Sequence, residues 1–159
     1  MRRLVFVAMA CVAGVALVAG CSSDSKKGTA DTSGGGGVTV PTATGTPVSI
    51  IAGDKSDTEQ FFTLDPVSVA AGPVTFNFEN TGKRKHEMVV LKTDTPFDQL
   101  VVGADNRVSE DDSQGEIGET DAGKKASVTL DLAPGKYVLV CNLEKHYNQG
   151  MRIAFTVTP

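Results

Sequence analysis

The sequence predicts an all-β fold, a two-sheet sandwich of seven or eight short strands with one short helix. Two observations carry that expectation. Over residues 46–159 apolar side chains alternate with polar ones, the period-2 signature of strands with one buried face. Turn chemistry such as Asn80-Thr81-Gly82 and Ala133-Pro134-Gly135 cuts these runs at the spacing of short antiparallel strands. Taken in order, weaker strands fit around Val48-Ser49-Ile50-Ile51, Phe61-Phe62-Thr63-Leu64 and Val67-Ser68-Val69. Val74, Phe76 and Phe78 share the inward face of a stronger one, and His86, Met88 and Val90 alternate in the next. Thr95-Pro96-Phe97-Asp98-Gln99-Leu100 reads as the start of the helix, with Thr95 as N-cap and Pro96 at the first helical position. Gly103 to Lys125 carries Glu110, Asp111, Asp112, Glu116, Glu119 and Asp121 and reads as a long surface excursion between strands. Val128, Leu130 and Leu132, then Tyr137, Leu139 and Cys141, then Met151, Ile153, Phe155 and Val157 form the last three inward faces.

Residues 1–45 are different material. Met1-Arg2-Arg3 is a short basic start, Leu4 to Gly20 is almost unbroken apolar sequence, and Val18-Ala19-Gly20-Cys21 closes it. That order describes an export signal over residues 1–20. The small residues before the cysteine resemble the lipobox of bacterial lipoproteins, which implies cleavage before Cys21 and a diacylglyceryl group on its thiol. The other reading is an uncleaved membrane anchor, since the apolar run is nearly long enough to span a bilayer. The placement of Cys21 and the polar tract after it favour the lipoprotein. Residues 21–45, rich in Ser, Gly, Thr and Asp and including Gly34 to Gly37, read as a flexible tether with a reach of about 27 Å. The expected organisation is a signal over 1–20, a lipidated linker over 21–45 and one domain over 46–159.

The chain has 15 basic and 19 acidic side chains, a formal charge of -4. Loss of Arg2 and Arg3 with the signal widens the acidic excess, which argues against nucleic-acid binding. Of three cysteines, Cys11 leaves with the signal and Cys21 takes the lipid. Cys141 remains as the sole thiol, so no internal disulfide forms. An unpaired thiol in an oxidising compartment is a liability unless it is buried or bound to metal.

Cys141, His146 and Met151 follow one another as C-x4-H-x4-M. A thiolate, an imidazole and a thioether in one loop are three of the four donors of a mononuclear blue-copper site. The fourth is a second imidazole, and the only other histidine is His86. By parity, Cys141 is the last inward residue of its strand, Met151 the first of the next, and His86 opens a third. Taken singly, each donor reads as ordinary structure: a small core cysteine, a solvated histidine, a packed methionine. Together, with no histidine left over, they read as a metal site. Met88 shares the parity of His86 but lies two residues deeper, and reads as core packing.

The chain here resembles the cupredoxins, the plastocyanin and azurin family of small blue-copper proteins. The likeness runs from Val67 to Phe76, through Asn80-Thr81-Gly82 and His86-Glu87-Met88-Val89-Val90, to Leu132-Ala133-Pro134-Gly135-Lys136-Tyr137 and the Cys141–Met151 loop. It implies a Greek-key β-sandwich that holds one type 1 copper near one end. His86 and His146 would be its imidazole ligands, Cys141 the thiolate and Met151 the axial ligand. His146, on the C-terminal loop, would lie under the patch where electrons enter or leave. Glu87 stands where many members carry a small amide or hydroxyl, with Asn142 beside Cys141, so the hydrogen bonds around the ligands differ from the common pattern.

The function expected from this is a membrane-tethered, monomeric carrier of single electrons between extracytoplasmic redox partners, and not an enzyme. Multicopper oxidases and nitrite reductases need further histidines. The alternative is a lipoprotein that binds, buffers or delivers copper; the scarcity of Met and His in the mature chain disfavours it. Lys83, Arg84, Lys85, Lys145 and Arg152 flank the donors. They would form either a basic collar that steers an acidic redox partner or an ordinary solvated rim, with the acidic stretch from Glu110 to Asp121 lying apart.

Overall fold

A computed structural model describes residues 45–159; the predicted export signal, Cys21 and the linker up to residue 44 lie outside the described residues. Nine strands follow in order: β1 (Thr46–Asp54), β2 (Gln60–Asp65), β3 (Ser68–Ala70), β4 (Gly72–Asn80), β5 (His86–Lys92), β6 (Ser113–Thr120), β7 (Lys125–Leu132), β8 (Gly135–Val140) and β9 (Arg152–Thr158). They form a four-stranded sheet in the order β2-β1-β4-β7 and a five-stranded sheet in the order β3-β9-β8-β5-β6. β1 runs parallel to β4 with Ala52 opposite Asn80, and antiparallel to β2 with Asp54 opposite Gln60.

The alternating apolar positions face one another between the sheets. Val48, Ile50, Val74, Phe76, Phe78, Met88, Val90, Tyr137, Leu139 and Phe155 are all buried there. Phe76 of β4 meets Phe155 of β9 edge to face, with ring centroids 5.5 Å apart, so the two sheets lock through a geometry that aromatic rings favour. Burying one such ring stabilises the fold by about 1.5–3 kcal/mol. A second cluster of Val89, Leu91, Val138, Val140, Val108 and Tyr147 lies on the other side of β5 and β8. Leu100 and Val102 pack on it, so these two strands are apolar on both faces.

Two expectations are corrected. The segment Thr95–Leu100 is a turn, and no helix occurs among the described residues. The Gln99 N–H reaches the Pro96 carbonyl at 2.9 Å, but the Leu100 N–H donates to the Tyr147 hydroxyl at 3.0 Å. A helix would need that N–H for Pro96, and the tertiary contact takes it. The acidic stretch is not only a loop: its Ser113–Thr120 portion is β6, paired with β5, which raises the strand count to nine. β6 is an edge strand with Ile117 its only buried apolar residue, so its sequence carries little of the alternation that marks the others.

Candidate metal centre

Four elements bring the donors together. His86 is the first residue of β5, Cys141 follows β8 by one residue, His146 lies in the β8–β9 loop, and Met151 precedes β9 by one residue. Nδ1 of His86 lies 3.3 Å from Nδ1 of His146, and Sγ of Cys141 lies 3.3 Å from that same Nδ1. One donor atom from each of His86, Cys141 and His146 falls within 4.8 Å of the other two. Donors about 2.0–2.3 Å from one ion sit roughly 3.3–3.8 Å apart, so this spacing fits a shared metal. Met151 is joined through the main chain: the Cys141 N–H donates to the Met151 carbonyl at 3.0 Å, and the Met151 N–H to the His146 carbonyl at 3.1 Å. His86, Cys141 and Met151 are 0% exposed and His146 is 9% exposed.

Burial sets the charge of the metal-free site. It pushes the Cys141 thiol up to about 12, against the opposing pull of the Glu87 and Leu143 backbone N–H groups. It pulls His146 down to about 4, helped by the neighbouring His86. It lowers His86 as well, although the Asp54 carboxylate pulls the other way. A neutral thiol and two neutral imidazoles result, which is the state a metal can enter by displacing one thiol proton.

The surroundings hold this geometry. The β5–β8 ladder stops at Val89–Val140, and the Glu87 N–H beyond it donates to Cys141 Sγ at 3.4 Å. Asn142 does not bridge the two ligand loops through its side chain. Its amide brackets Val108, accepting from the N–H at 2.8 Å and donating to the carbonyl at 3.0 Å. Tyr147 fixes the far side of the loop: its hydroxyl donates to the Phe97 carbonyl at 2.9 Å, and Arg152 lies over its ring at 4.9 Å. Gly150 has φ +110°, and a Cβ there would lie 2.6 Å from the Gln60 carbonyl. Only glycine lets the loop come that close to β2.

A family model of the sulfocyanin (SoxE) domain matches residues 66–159, more than half of the chain and all four donor side chains. The chain belongs to the sulfocyanin family. No curated protein sequence matches it. Among solved structures, auracyanin B is 23% identical with a TM-score of 0.57, over 72% of this chain and 89% of its own. Rusticyanin from Thiobacillus ferrooxidans is 20% identical with a TM-score of 0.53, over 72% and 79%. The azurin Az-iso2 from the obligate methylotroph Methylomonas sp. strain J is 19% identical with a TM-score of 0.50, over 72% and 98%. At these identities the likeness shows the fold, that of the cupredoxins. This sulfocyanin-family cupredoxin takes one copper, and His86, Cys141, His146 and Met151 are arranged as a type 1 site.

Three residues around the centre escaped sequence reasoning. Asp54 lies with its Oδ1 3.2 Å from His86 Nε2. Burial alone would raise its pKa, but the Lys83 and Arg84 N–H groups and the His86 ring outweigh that and hold it below the usual carboxylate value. Gln60, opposite Asp54 in the β1–β2 pair, is buried with its amide unpartnered. Arg107 donates to the Asn142 carbonyl at 2.8 Å. A signal for the first two was present: Val48, Ile50, Ala52 and Asp54 share one parity, as do Gln60, Phe62 and Leu64. A polar residue at an inward position asks for a partner.

The flanking cations are not an isolated collar. Arg84 pairs with Asp57 at 2.8 Å, Lys145 with Glu144 at 3.0 Å, and Lys85 with Glu119 at 3.1 Å and Asp121 at 3.8 Å. The acidic stretch therefore does not lie apart. β6 pairs with β5 through His86 and Thr120, which carries Glu119 and Asp121 to the lysine beside His86.

Proposed function

We propose that this protein carries single electrons between redox proteins outside the cytoplasm, held at the membrane by a lipidated Cys21. The supporting observation is the uneven burial of the donors: of the four, only His146 reaches the surface. Copper held there supplies a one-electron couple. The residues do the rest. Packed strands and the main-chain bonds between Cys141, His146 and Met151 keep the donors in place, and the apolar core behind them excludes water. His146 is then the port through which a partner exchanges electrons. The same burial argues against copper delivery, because an acceptor would find three donors sealed.

The partner we envisage presents carboxylates to Lys83, Arg84, Lys85, Lys145 and Arg152. Since Asp57, Glu119, Asp121 and Glu144 already offset several of these cations, the steering is short-ranged. One experiment tests the reading. The copper-loaded full chain is cycled repeatedly against an acidic redox protein at increasing ionic strength, with a copper chelator present. Copper is expected to stay bound through every cycle while the transfer rate falls by a small factor. Copper lost to the chelator on reduction would contradict the carrier, and a rate indifferent to salt would contradict the acidic partner.

A further inference from the structure

Asp54 occupies an unusual position for a carboxylate. It ends β1 on the inward face, with its side chain 9% exposed. Oδ2 accepts the Lys83 N–H at 2.6 Å and the Arg84 N–H at 3.2 Å, which fixes the plane of the group. Oδ1 then faces His86 Nε2 at 3.2 Å. Both of these facing atoms are buried and neither makes a hydrogen bond, so each is the nearest polar group available to answer the other. The loop before His86 is sewn to the end of β1, because Thr81 binds the Ala52 carbonyl through its N–H at 2.8 Å and its hydroxyl at 2.9 Å. Residue 82 must be small for the contact to exist. A Cβ on Gly82 would lie 2.5 Å from Asp54 Oδ2 and 3.0 Å from His86 Nε2.

The chemistry of the pair follows from the donor inventory. A neutral imidazole carries its proton on one nitrogen and a lone pair on the other. A carboxylate only accepts, so Asp54 selects the form with the proton on Nε2. That leaves the lone pair on Nδ1, the atom that faces Cys141 and His146. We infer that Asp54 is a positioning residue for copper: it fixes the tautomer of His86 and places a negative charge behind that ligand. The inference rests on His86 being a copper ligand. The charge favours the more positive, oxidised metal, and a carboxylate facing Nε2 raises the basicity of the imidazole.

The test compares Asp54→Asn, Gly82→Ala and Asp57→Asn with the wild type, all as the full chain. In Asp54→Asn the Lys83 and Arg84 amides retain the side-chain oxygen, so the new NH2 turns toward Nε2 and drives the proton to Nδ1. Nitrogen NMR of the metal-free protein should show His86 protonated on Nε2 in the wild type and on Nδ1 in Asp54→Asn. Copper affinity should fall about 10–100-fold. Against a fixed mediator, the ratio of reduced to oxidised copper should rise about tenfold, or about 59 mV for one electron. Gly82→Ala wedges the pair apart with the charge retained; it should lower affinity in the same way, and decides the matter if Asp54→Asn fails to fold. Asp57→Asn removes an exposed carboxylate from the same rim and should change none of these. If Asp54→Asn matches the wild type or Asp57→Asn in tautomer, affinity and potential, the inference is overturned. An Nδ1–H tautomer in the metal-free wild type overturns it too, with the copper site left standing; a wild type that takes no copper overturns both.

Discussion

At the scale of single residues, the metal centre is a set of polar groups kept uncharged by the apolar core around them. His146 shows the consequence. Burial pulls it down to about 4 from an ordinary 6.5, so over that range the unfolded chain binds a proton that the folded, metal-free chain refuses. The sign is then fixed: stability is complete above about pH 6.5 and is lost as pH falls toward 4. His86 is shifted in the same direction by its own burial. For His146 the loss is on the order of 3 kcal/mol. Thermal melts of the metal-free protein should show the midpoint falling steadily across this window, and His146→Gln should flatten the fall. A midpoint that holds constant from pH 7 to pH 4 would contradict the neutral-site description.

At the scale of elements, the β8–β9 loop is a rigid part because outside residues hold it. Tyr147 is the main fastener. Its hydroxyl accepts from the Leu100 N–H and donates to the Phe97 carbonyl, and its ring sits in the second apolar cluster. Tyr147→Phe keeps the ring and strands both backbone groups, at a cost of about 1–3 kcal/mol. Urea unfolding should report that loss with the slope unchanged; no change in midpoint would mean that water replaces the hydroxyl. These contacts also explain what the sequence could and could not tell. The strands through Phe76 and Phe155 were legible because their faces alternate, and those through Met88 and Leu139, apolar on both faces, because they are short β-branched runs that follow a turn signal. β6 was not, because an edge strand rich in Gly and Glu buries too little to leave a pattern. The helix expected at Thr95 failed for a tertiary reason: a valid cap and a well-placed proline were overruled by one phenol 47 residues away. The donors were legible because their residue types are rare and their parity is plain. Asp54 was legible only in part: its inward parity asked for a partner, but only the fold, with β1 parallel to β4, shows that the partner is His86.

For the molecule as a whole, the sandwich acts as a frame. The donors come from β5 and from a loop between β8 and β9, adjacent strands of one sheet, and the second sheet adds Asp54 from behind. A frame built on interlocked aromatic rings resists the rearrangement that a change in metal charge would otherwise drive. Under the proposed carrier role, the mixed signs around His146 would leave recognition of a partner to close contact. All of this depends on His86, Cys141, His146 and Met151 sharing one metal. The most direct measurement is the visible spectrum of the full chain after addition of Cu(II), beside that of Cys141→Ser. An intense blue band, bleached by a reductant and absent from the variant, is the result expected here. A colourless product, or a blue one that survives the loss of the Cys141 sulfur, would contradict it.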